Sequence, residues 1–327
     1  MKMIKWGVMG TAGIFEGATA EGMRQAENCE LYAIAGRNLE KAAEFKEKYG
    51  FQVAYGSYQE LLDDPQVEAV YIPLPNHLHC EWTIKALQAG KHVLCEKPLG
   101  ANEEEVKQMF AAAKENGVYL MEAFAYQHSP YIAAIADAVH SGVIGQVRYM
   151  ESAFLTSDYN PTNIRMRRDA WGGTTYDLGV YSASLTQRIM GKEPQDVKAI
   201  ATFSNDHIDL LCSAILTYED GATAKVESGM VLATEKDSSA HRFQIHGTLG
   251  SIQGVDFAFN GCGELSYRLQ TFDGRDDVVK VSVPNNYRLE VEQLGRCIEC
   301  LETPAVTEEF SLSMARTIDR ILAAIGY

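Results

Sequence analysis

Short apolar segments alternate with amphipathic segments along the first third of the chain, residues 1–122. MIKWGVM, ELYAIAG, VEAVYIP, KHVLCE and GVYLME predict strands, whereas NLEKAAEFKEKYG and HCEWTIKALQAG show helical periodicity and end on glycine. Strands that alternate with helices of this length form a doubly wound parallel sheet, which we expect to be complete by about Glu122.

The pattern changes after residue 122. A helix predicted over 130–140 precedes long segments with period-two alternation, among them GQVRYMESAFL, DVKAIATFS, HIDLLCSAILTY, ATAKVESGMVL, HRFQIHG, GSIQGV and DDVVKVSV. Turn signals such as EDG and FDG separate them, which predicts a large, mostly antiparallel sheet. Helices predicted over 287–301 and 311–325 close the chain, so the fold class is α/β with two different sheets.

Composition limits the classes of partner. The 327 residues suggest two domains, and the formal charge of 29 − 44 = −15 disfavours binding to nucleic acid or to an anionic membrane. The sequence contains no apolar run long enough to predict a membrane span. Seven irregularly spaced cysteines and an N-terminus without a signal-peptide layout favour a reduced, cytoplasmic compartment.

Glycines lie between the first strand and the first helix, in WGVMGTAGIFEG. This position is typical of a dinucleotide fingerprint, in which backbone N–H groups and a helix N-terminus approach a pyrophosphate. Gly10 is the first fingerprint glycine, Ala12 replaces the second, and Phe15 stands in place of the third. A plain tight turn is the alternative interpretation.

The second predicted strand ends in AIAGRN, without the acid that usually holds the ribose hydroxyls of NAD. Arg37 can instead pair with a 2′-phosphate. NADP(H) is therefore favoured and NAD(H) stays open, while a solvated arginine at a helix start is the alternative.

Two strand ends carry charged or polar groups at the edge where parallel sheets bind ligands: YIPLPNHLH and CEKP. We expect Lys97 to point toward a nicotinamide, with Glu96 keeping its ammonium charged or relaying protons. Pro98 fixes the turn, and we predict that its peptide bond is cis.

A second group of polar residues lies in NIRMRRDAWGGTTYDLGVYSASL, residues 163–185. Asp177 and Tyr181 are four residues apart and share a face if the segment starts a helix. Hydride transfer to a carbonyl needs a proton donor, and a tyrosine beside Lys97 supplies one because the ammonium stabilises the phenolate. Tyr181 and Lys97 belong to different predicted domains, so we expect them to meet across a cleft. A packed core tyrosine is the alternative.

GVMGTAGI, PLPNHLH, GKHVLCEKPLG, MEAFAYQHSP and GGTTYDLGVY occur in this order along the chain. Together they resemble the glucose–fructose oxidoreductase / inositol dehydrogenase / MocA (Gfo/Idh/MocA) family. The resemblance implies a Rossmann NAD(P)-binding domain over 1–122 and a substrate-binding and oligomerisation domain over 123–327. The C-terminal helices would be able to pack back on the first domain. In this family the second sheet commonly forms the interface of a homodimer or homotetramer.

The resemblance also implies residue roles. Lys97 matches the catalytic lysine, Asp177 matches the aspartate of the second motif, and Tyr181 stands where inositol dehydrogenases carry histidine, as in the dihydrodiol dehydrogenase branch. The expected cofactor-binding residues are Gly10, Thr11, Ala12, Gly13, Ile14, Arg37, Pro73, Leu74, Asn76, His79, Glu96 and Lys97. The expected substrate-binding residues are Lys97, Arg165, Trp171, Asp177 and Tyr181.

Other clusters favour simpler interpretations. The NHLHC segment lacks a further metal ligand at suitable spacing, and the CxxC at Cys297 looks like two small helix residues, so no metal is expected. The segment from Asp206 to Asp209 favours a solvated turn. Arg165, Arg167 and Arg168 either contact substrate or form a basic surface loop.

Three functions remain open at this point. The first is an NAD(P)-dependent oxidoreductase that interconverts alcohol and ketone on a sugar, cyclic polyol or dihydrodiol, with Tyr181 as acid/base and Lys97 assisting. The second is a non-catalytic dinucleotide sensor on the same fold. The third is a redox-neutral enzyme that holds its cofactor through the reaction.

Overall fold

A computed structural model describes residues 2–157, 159–232 and 239–327. Contacts group the chain into two units, one of residues 1–128 and 284–312 and the other of residues 129–283 and 313–327. The domain boundary predicted at residue 122 stays a prediction, and each unit is described by itself.

The strands form two sheets. In chain order they are β1 Ile4–Met9, β2 Cys29–Ala35, β3 Val53–Tyr55, β4 Ala69–Ile72, β5 His92–Glu96, β6 Leu120–Ala123, β7 Val147–Thr156, β8 Asp196–Phe203, β9 Asp209–Thr217, β10 Thr223–Gly229, β11 Ser239–Gly247, β12 Gly250–Asp256, β13 Gly263–Thr271 and β14 Asp276–Val283.

The helices of the described residues are α1 Ala20–Gln25, α2 Leu39–Tyr49, α3 Tyr58–Asp63, α4 His79–Gln88, α5 Glu103–Asn116, α6 Pro130–His140, α7 Val180–Met190, α8 Asn286–Ile298 and α9 Glu308–Ile325.

The first unit contains a parallel sheet in the order β3-β2-β1-β4-β5-β6. All of its strand pairs are parallel, and the order reverses between β1 and β4, which is the point where such sheets bind ligands. The doubly wound sheet predicted from the alternating segments is confirmed. The short strand β3 forms one edge of this sheet, and the short helix α3 follows it in the chain.

Local signals explain several helix ends in this unit. The Asn38 side chain accepts from the backbone N–H of Lys41, and Gly50 ends α2 with φ of 81°. Asn102 accepts from the Glu105 N–H at the start of α5, and the Glu105 carboxylate accepts from the Ala101 N–H.

Helix α8 packs on α1 within the first unit, and Gly22 permits the close approach. A Cβ on Gly22 would lie 2.7 Å from the Arg288 nitrogen. The Asn28 amide donates to the Glu292 carbonyl at 2.9 Å, and Arg288 pairs with Glu27 at 3.2 Å. The chain therefore returns after its second sheet to complete the first unit.

The second unit contains an eight-stranded sheet in the order β14-β13-β12-β11-β7-β10-β9-β8. Within this sheet, β7–β10 is the one parallel pair among the described strands, so the predicted, mostly antiparallel sheet is confirmed. Helices α6 and α7 belong to this unit, and the Tyr131 hydroxyl of α6 donates to the Ser266 carbonyl at 2.9 Å.

Candidate active site

The turn after β1 forms an open surface at the carboxyl edge of the first sheet. Gly10 has φ of 120°, which favours glycine, and its N–H donates to the Ala35 carbonyl at 2.8 Å. No atom lies within 4 Å of the Cβ position of Gly13. The predicted cofactor residues of this turn are half-buried or exposed: Thr11, Ala12, Gly13 and Ile14. The turn fits a pyrophosphate because its backbone is open at the start of a helix.

Phe15 replaces the third fingerprint glycine and is fully buried. Its ring lies 5.1 Å from that of Tyr49 and 5.7 Å from that of Phe51. Residues Phe15–Thr19 form a widened, π-helical turn ahead of α1. An aromatic cluster therefore packs this helix where a glycine would allow close backbone approach.

Arg37 follows β2 and is exposed. Burial raises the pKa of Tyr58, and the charge and a hydrogen bond of Arg37 oppose that rise, so the guanidinium lies near the Tyr58 hydroxyl. That hydroxyl is 4.0 Å from the Cβ position of Gly10. Arg37 thus lies near the fingerprint turn.

His79 connects the segments that follow β4 and β5. Its Nε2 lies 2.7 Å from the Leu74 carbonyl oxygen and its Nδ1 lies 2.7 Å from the Pro98 carbonyl oxygen. Burial lowers the pKa of His79 to about 4, and the charge of Lys97 acts in the same direction. The ring is fully buried between the two segments, and a neutral imidazole, with one N–H, donates to one of these two carbonyls. The neighbouring predicted cofactor residues Pro73, Leu74 and Asn76 lie on the first of these segments.

The Glu-Lys-Pro segment ends β5. Glu96 is buried and accepts a hydrogen bond from the Tyr71 hydroxyl at 2.6 Å. Lys97 is half-buried, and the Lys97–Pro98 peptide bond is cis, which confirms that prediction. The Tyr71 hydroxyl also lies 3.0 Å from the Thr19 hydroxyl of the first helical turn. Lys97 therefore directly follows a residue of a buried hydrogen-bonded group formed by Glu96, Tyr71 and Thr19.

Glu122 and Glu290 are further buried carboxyl groups of this unit, and the sequence did not predict them. Glu122 accepts from the Leu99 N–H at 3.0 Å and from the Ser311 hydroxyl at 2.6 Å, and burial raises its pKa to about 7. Neither carboxyl oxygen of Glu290, on α8, has a hydrogen-bond partner among the described residues. Burial raises the pKa of Glu290 well above its usual value, and the charge of Glu96 adds to the rise.

Tyr181 lies in the first turn of α7, in the second unit, and is half-buried. Its ring lies 5.4 Å from the rings of Phe154 and Phe259. Its hydroxyl accepts from the Asn260 amide at 3.4 Å. The Ser182 hydroxyl donates to the Glu227 carbonyl at 3.0 Å and holds this turn on β10. Tyr181 thus has a partly apolar setting with a polar contact at its oxygen.

The structure brings Arg165 and Asp177 together. Arg165 Nε lies 2.6 Å from Asp177 Oδ2, and the Asp177 side chain is only 18% exposed. Asp177 belongs to the π-helical turn Thr175–Gly179 directly before α7. Trp171 is half-buried with a left-handed backbone, φ of 54°. Arg167 pairs with Asp169 at 2.5 Å, so Arg165 is the arginine of this loop that reaches Asp177.

The prediction that Asp209 lies in a solvated turn is wrong. Asp209 is fully buried and accepts from the Thr175 N–H at 2.8 Å and the Thr175 hydroxyl at 2.7 Å. A Cβ on Gly173, whose φ is 102°, would collide with the Asp209 carboxylate. Asp209 therefore holds the glycine turn from which the Asp177 and Tyr181 segment starts.

The described residues contain no group of three or more His, Cys, Asp or Glu side chains arranged to hold a metal ion. Within the same ranges, none of the helices is both long enough and apolar enough to cross a bilayer.

A doubly wound parallel sheet with a glycine-containing turn at its carboxyl edge is typical of dinucleotide-binding domains. Residues 4–124 match the oxidoreductase family with an NAD-binding Rossmann fold, GFO_IDH_MocA, and residues 132–253 match the GFO/IDH/MocA C-terminal domain. The chain belongs to the GFO/IDH/MocA family. It is an NAD(P)-dependent oxidoreductase acting on CH–OH groups, and its first unit is an NAD(P)-binding Rossmann domain.

Relatives cover nearly the whole chain. D-xylose 1-dehydrogenase (NADP(+)) 2 of Haloferax volcanii is 36% identical over 321 residues, 97% of this chain and 95% of the relative. Trans-1,2-dihydrobenzene-1,2-diol dehydrogenase of Xenopus laevis is 29% identical over 332 residues, 98% of each. The crystal structure of KijD10, a 3-ketoreductase from Actinomadura kijaniata in complex with NADP and TDP-benzene, is similar with a TM-score of 0.91 and 29% identity. That likeness covers 99% of this chain and 98% of the other.

Proposed function

We propose that the protein interconverts an alcohol and a ketone on a carbohydrate-like substrate, a sugar, cyclic polyol or dihydrodiol, with NADP(H). The observation that carries the proposal is the setting of Lys97. Lys97 directly follows the carboxyl end of β5 and is half-buried, next to the buried Glu96. It lies in the same unit as the open fingerprint turn. A dinucleotide sensor has no need of such a group. The relatives named for xylose, dihydrodiol and ketosugar chemistry support the substrate class.

A bound nicotinamide supplies or accepts the hydride at the substrate carbon. In reduction, the C=O π electrons move to oxygen as the C–H bond forms, and Tyr181 donates its hydroxyl proton to that oxygen. Lys97 favours the phenolate that remains, and Asp177, held by Arg165, binds substrate hydroxyls. Oxidation runs the same proton transfer in reverse. Lys97 belongs to the first unit and Tyr181 to the second, so the proposal requires both to reach one substrate.

Arg37 supports the preference for NADP(H). It flanks the fingerprint turn, and Gly36, Arg37 and Asn38 at the end of β2 include no carboxylate for the ribose hydroxyls. Two of the relatives are named with NADP.

We also propose a cytoplasmic homodimer or homotetramer formed through the second sheet. Ile200 on β8 is 76% exposed and Ile215 on β9 is 41% exposed, and the strand register puts both on one face. All seven cysteines lie in the described residues, and none of them forms a disulfide bond there, as expected in a reduced compartment. Sedimentation velocity should give a dimer or tetramer, and a monomer at micromolar concentration would contradict this assembly.

The substrate class is tested by NADPH oxidation with a panel of keto-sugars, dicarbonyls and inosose-type ketones. We expect turnover on at least one ketone that carries neighbouring hydroxyl groups. Tight NADPH binding without turnover would favour the sensor, and nicotinamide retained through purification would favour the redox-neutral enzyme.

A further inference from the structure

Asn260 contacts the proposed acid/base residue from a separate element. Its Nδ2 lies 3.4 Å from the Tyr181 hydroxyl oxygen, although the two residues are 79 positions apart in the chain. Asn260 lies in the segment between β12 and β13, whereas Tyr181 lies on α7. The tertiary fold of the second unit, rather than a local turn, brings this amide to the tyrosine.

The segment that carries Asn260 is fixed on both sides of it. The Gly261 N–H donates to the Ala258 carbonyl at 2.9 Å and closes a turn around the asparagine. Phe259 is buried, and its ring stacks on that of Phe154 at 5.2 Å. The Phe259 N–H donates to His241 Nδ1 at 3.3 Å. The amide therefore has a defined position relative to the tyrosine ring, which contacts the same two phenylalanines.

Charged and titratable groups lie on the elements packed against Tyr181, and those on β7 and β11 include the Glu151–Arg242 ion pair. On the preceding turn Asp177 is paired with Arg165. On β11, burial lowers the pKa of His241 to about 4, so this ring is neutral at ordinary pH. On β10, the Glu227 carboxylate is paired with Lys225 and Arg242, and the Glu227 carbonyl accepts from Ser182 of α7. Asn260 places a neutral amide donor at the phenol oxygen.

We propose that Asn260 is a positioning residue for proton transfer: its N–H donates to the Tyr181 oxygen and stabilises the phenolate. An amide keeps this donor at every working pH, and a hydrogen bond to the charged form of an acid favours that form. The bond also fixes the direction of the hydroxyl, which helps aim its proton at a substrate oxygen. This inference rests on the proposed function, in which Tyr181 exchanges a proton with substrate.

Titration of Tyr181 tests the inference without any substrate. Tyrosine labelled with ¹³C at Cζ reports each phenol by NMR, and the Tyr181→Phe spectrum assigns the signal. We expect Asn260→Ala to move the Tyr181 midpoint alkaline by roughly one pH unit, the worth of one hydrogen bond. Asn260→Asp should move it further because a carboxylate faces the phenolate. Asn260→Gln, which keeps a donor, should give a midpoint between those of wild type and Asn260→Ala.

Asn205→Asp is the matched control, since Asn205 is exposed in the turn between β8 and β9 and the change adds the same charge. It should leave the Tyr181 midpoint unchanged, and unaltered thermal melts would show that the variants fold. An unshifted midpoint in both Asn260→Ala and Asn260→Asp would overturn the inference.

The pH profile of turnover separates this inference from the proposed function. On the best ketone of the panel, the Asn260→Asp profile should move alkaline with the titration. Full turnover in Tyr181→Phe would overturn the proposed function and this inference with it. An inactive Tyr181→Phe combined with an unshifted titration would overturn the inference alone.

Discussion

Glu96, Glu122 and Glu290 are among the buried carboxyl groups of the first unit. Carboxylates removed from water need hydrogen-bond or ionic partners, and these three carboxyl groups differ in their hydrogen-bond partners. Glu96 and Glu122 accept hydrogen bonds, whereas Glu290 has none among the described residues. Burial raises the pKa of Glu290 well above its usual value, which favours its protonated form. A protonated Glu290 places no second negative charge beside Glu96.

Glu122 gives a pH-dependent stability with a definite sign. The unfolded chain releases this proton near 4.5, whereas the folded chain keeps it until about 7. Between these values the unfolded state binds fewer protons, so the free energy of unfolding falls as pH rises, in total by roughly 3 kcal/mol. Denaturant unfolding of Glu122→Gln should show a flatter profile than wild type from pH 4.5 to 7. An exposed-site control, Glu104→Gln, should keep the wild-type slope, and parallel profiles for all three proteins would refute this account.

Arg37 should govern the choice of cofactor. Replacing it with alanine removes a charged partner of the 2′-phosphate, and such bonds contribute about 1.5–3 kcal/mol. We expect Arg37→Ala to raise the Kd for NADPH at least tenfold and to change that for NADH little, as measured by fluorescence titration. Arg24→Ala on the exposed face of α1 removes the same charge and should leave both constants unchanged. Equal losses for NADPH and NADH in Arg37→Ala would contradict a 2′-phosphate contact.

At the scale of elements, the α1–α8 contact offers a test of the packing. A Cβ on Gly22 would press on the Tyr287 and Arg288 backbone, so we expect Gly22→Ala to destabilise the protein by about 1–3 kcal/mol. Gly17, on the same helical segment, has nothing within 4 Å of its Cβ position. Gly17→Ala should be neutral or stabilising by about 0.5–1 kcal/mol in thermal melts. Equal effects of the two changes would show that α8 does not press on Gly22.

In the second sheet, period-two alternation predicted β8 and missed β13. Strand β8 alternates strictly between exposed and half-buried residues and was predicted, whereas β13 has three consecutive buried residues, Leu265 to Tyr267, and was not. Lys97 and Glu96 were predicted from their place at a strand end. Asp209 and Asn260 were not, because their partners lie 34 and 79 residues away and only tertiary folding brings them together.

At the scale of the whole molecule, cofactor binding should be visible as stability before any substrate is known. A ligand that binds only the folded protein at one hundred times its Kd adds about 2.7 kcal/mol to the free energy of unfolding. NADPH should therefore raise the melting temperature of the full chain in a concentration-dependent way, and by less in Arg37→Ala. No change in melting temperature at millimolar NADPH would contradict the open fingerprint turn as a cofactor site.

The proposed reaction uses a lysine of the first unit and a tyrosine of the second. Its decisive test is kcat for NADPH-dependent ketone reduction in wild type, Lys97→Met and Tyr181→Phe, with NADPH affinity measured in parallel. General acid catalysis is typically worth 10² to 10⁴ in rate. We expect kcat to fall by at least about a hundredfold in each variant while Tyr181→Phe keeps its NADPH affinity. Full activity in either variant would refute the roles proposed for Lys97 and Tyr181.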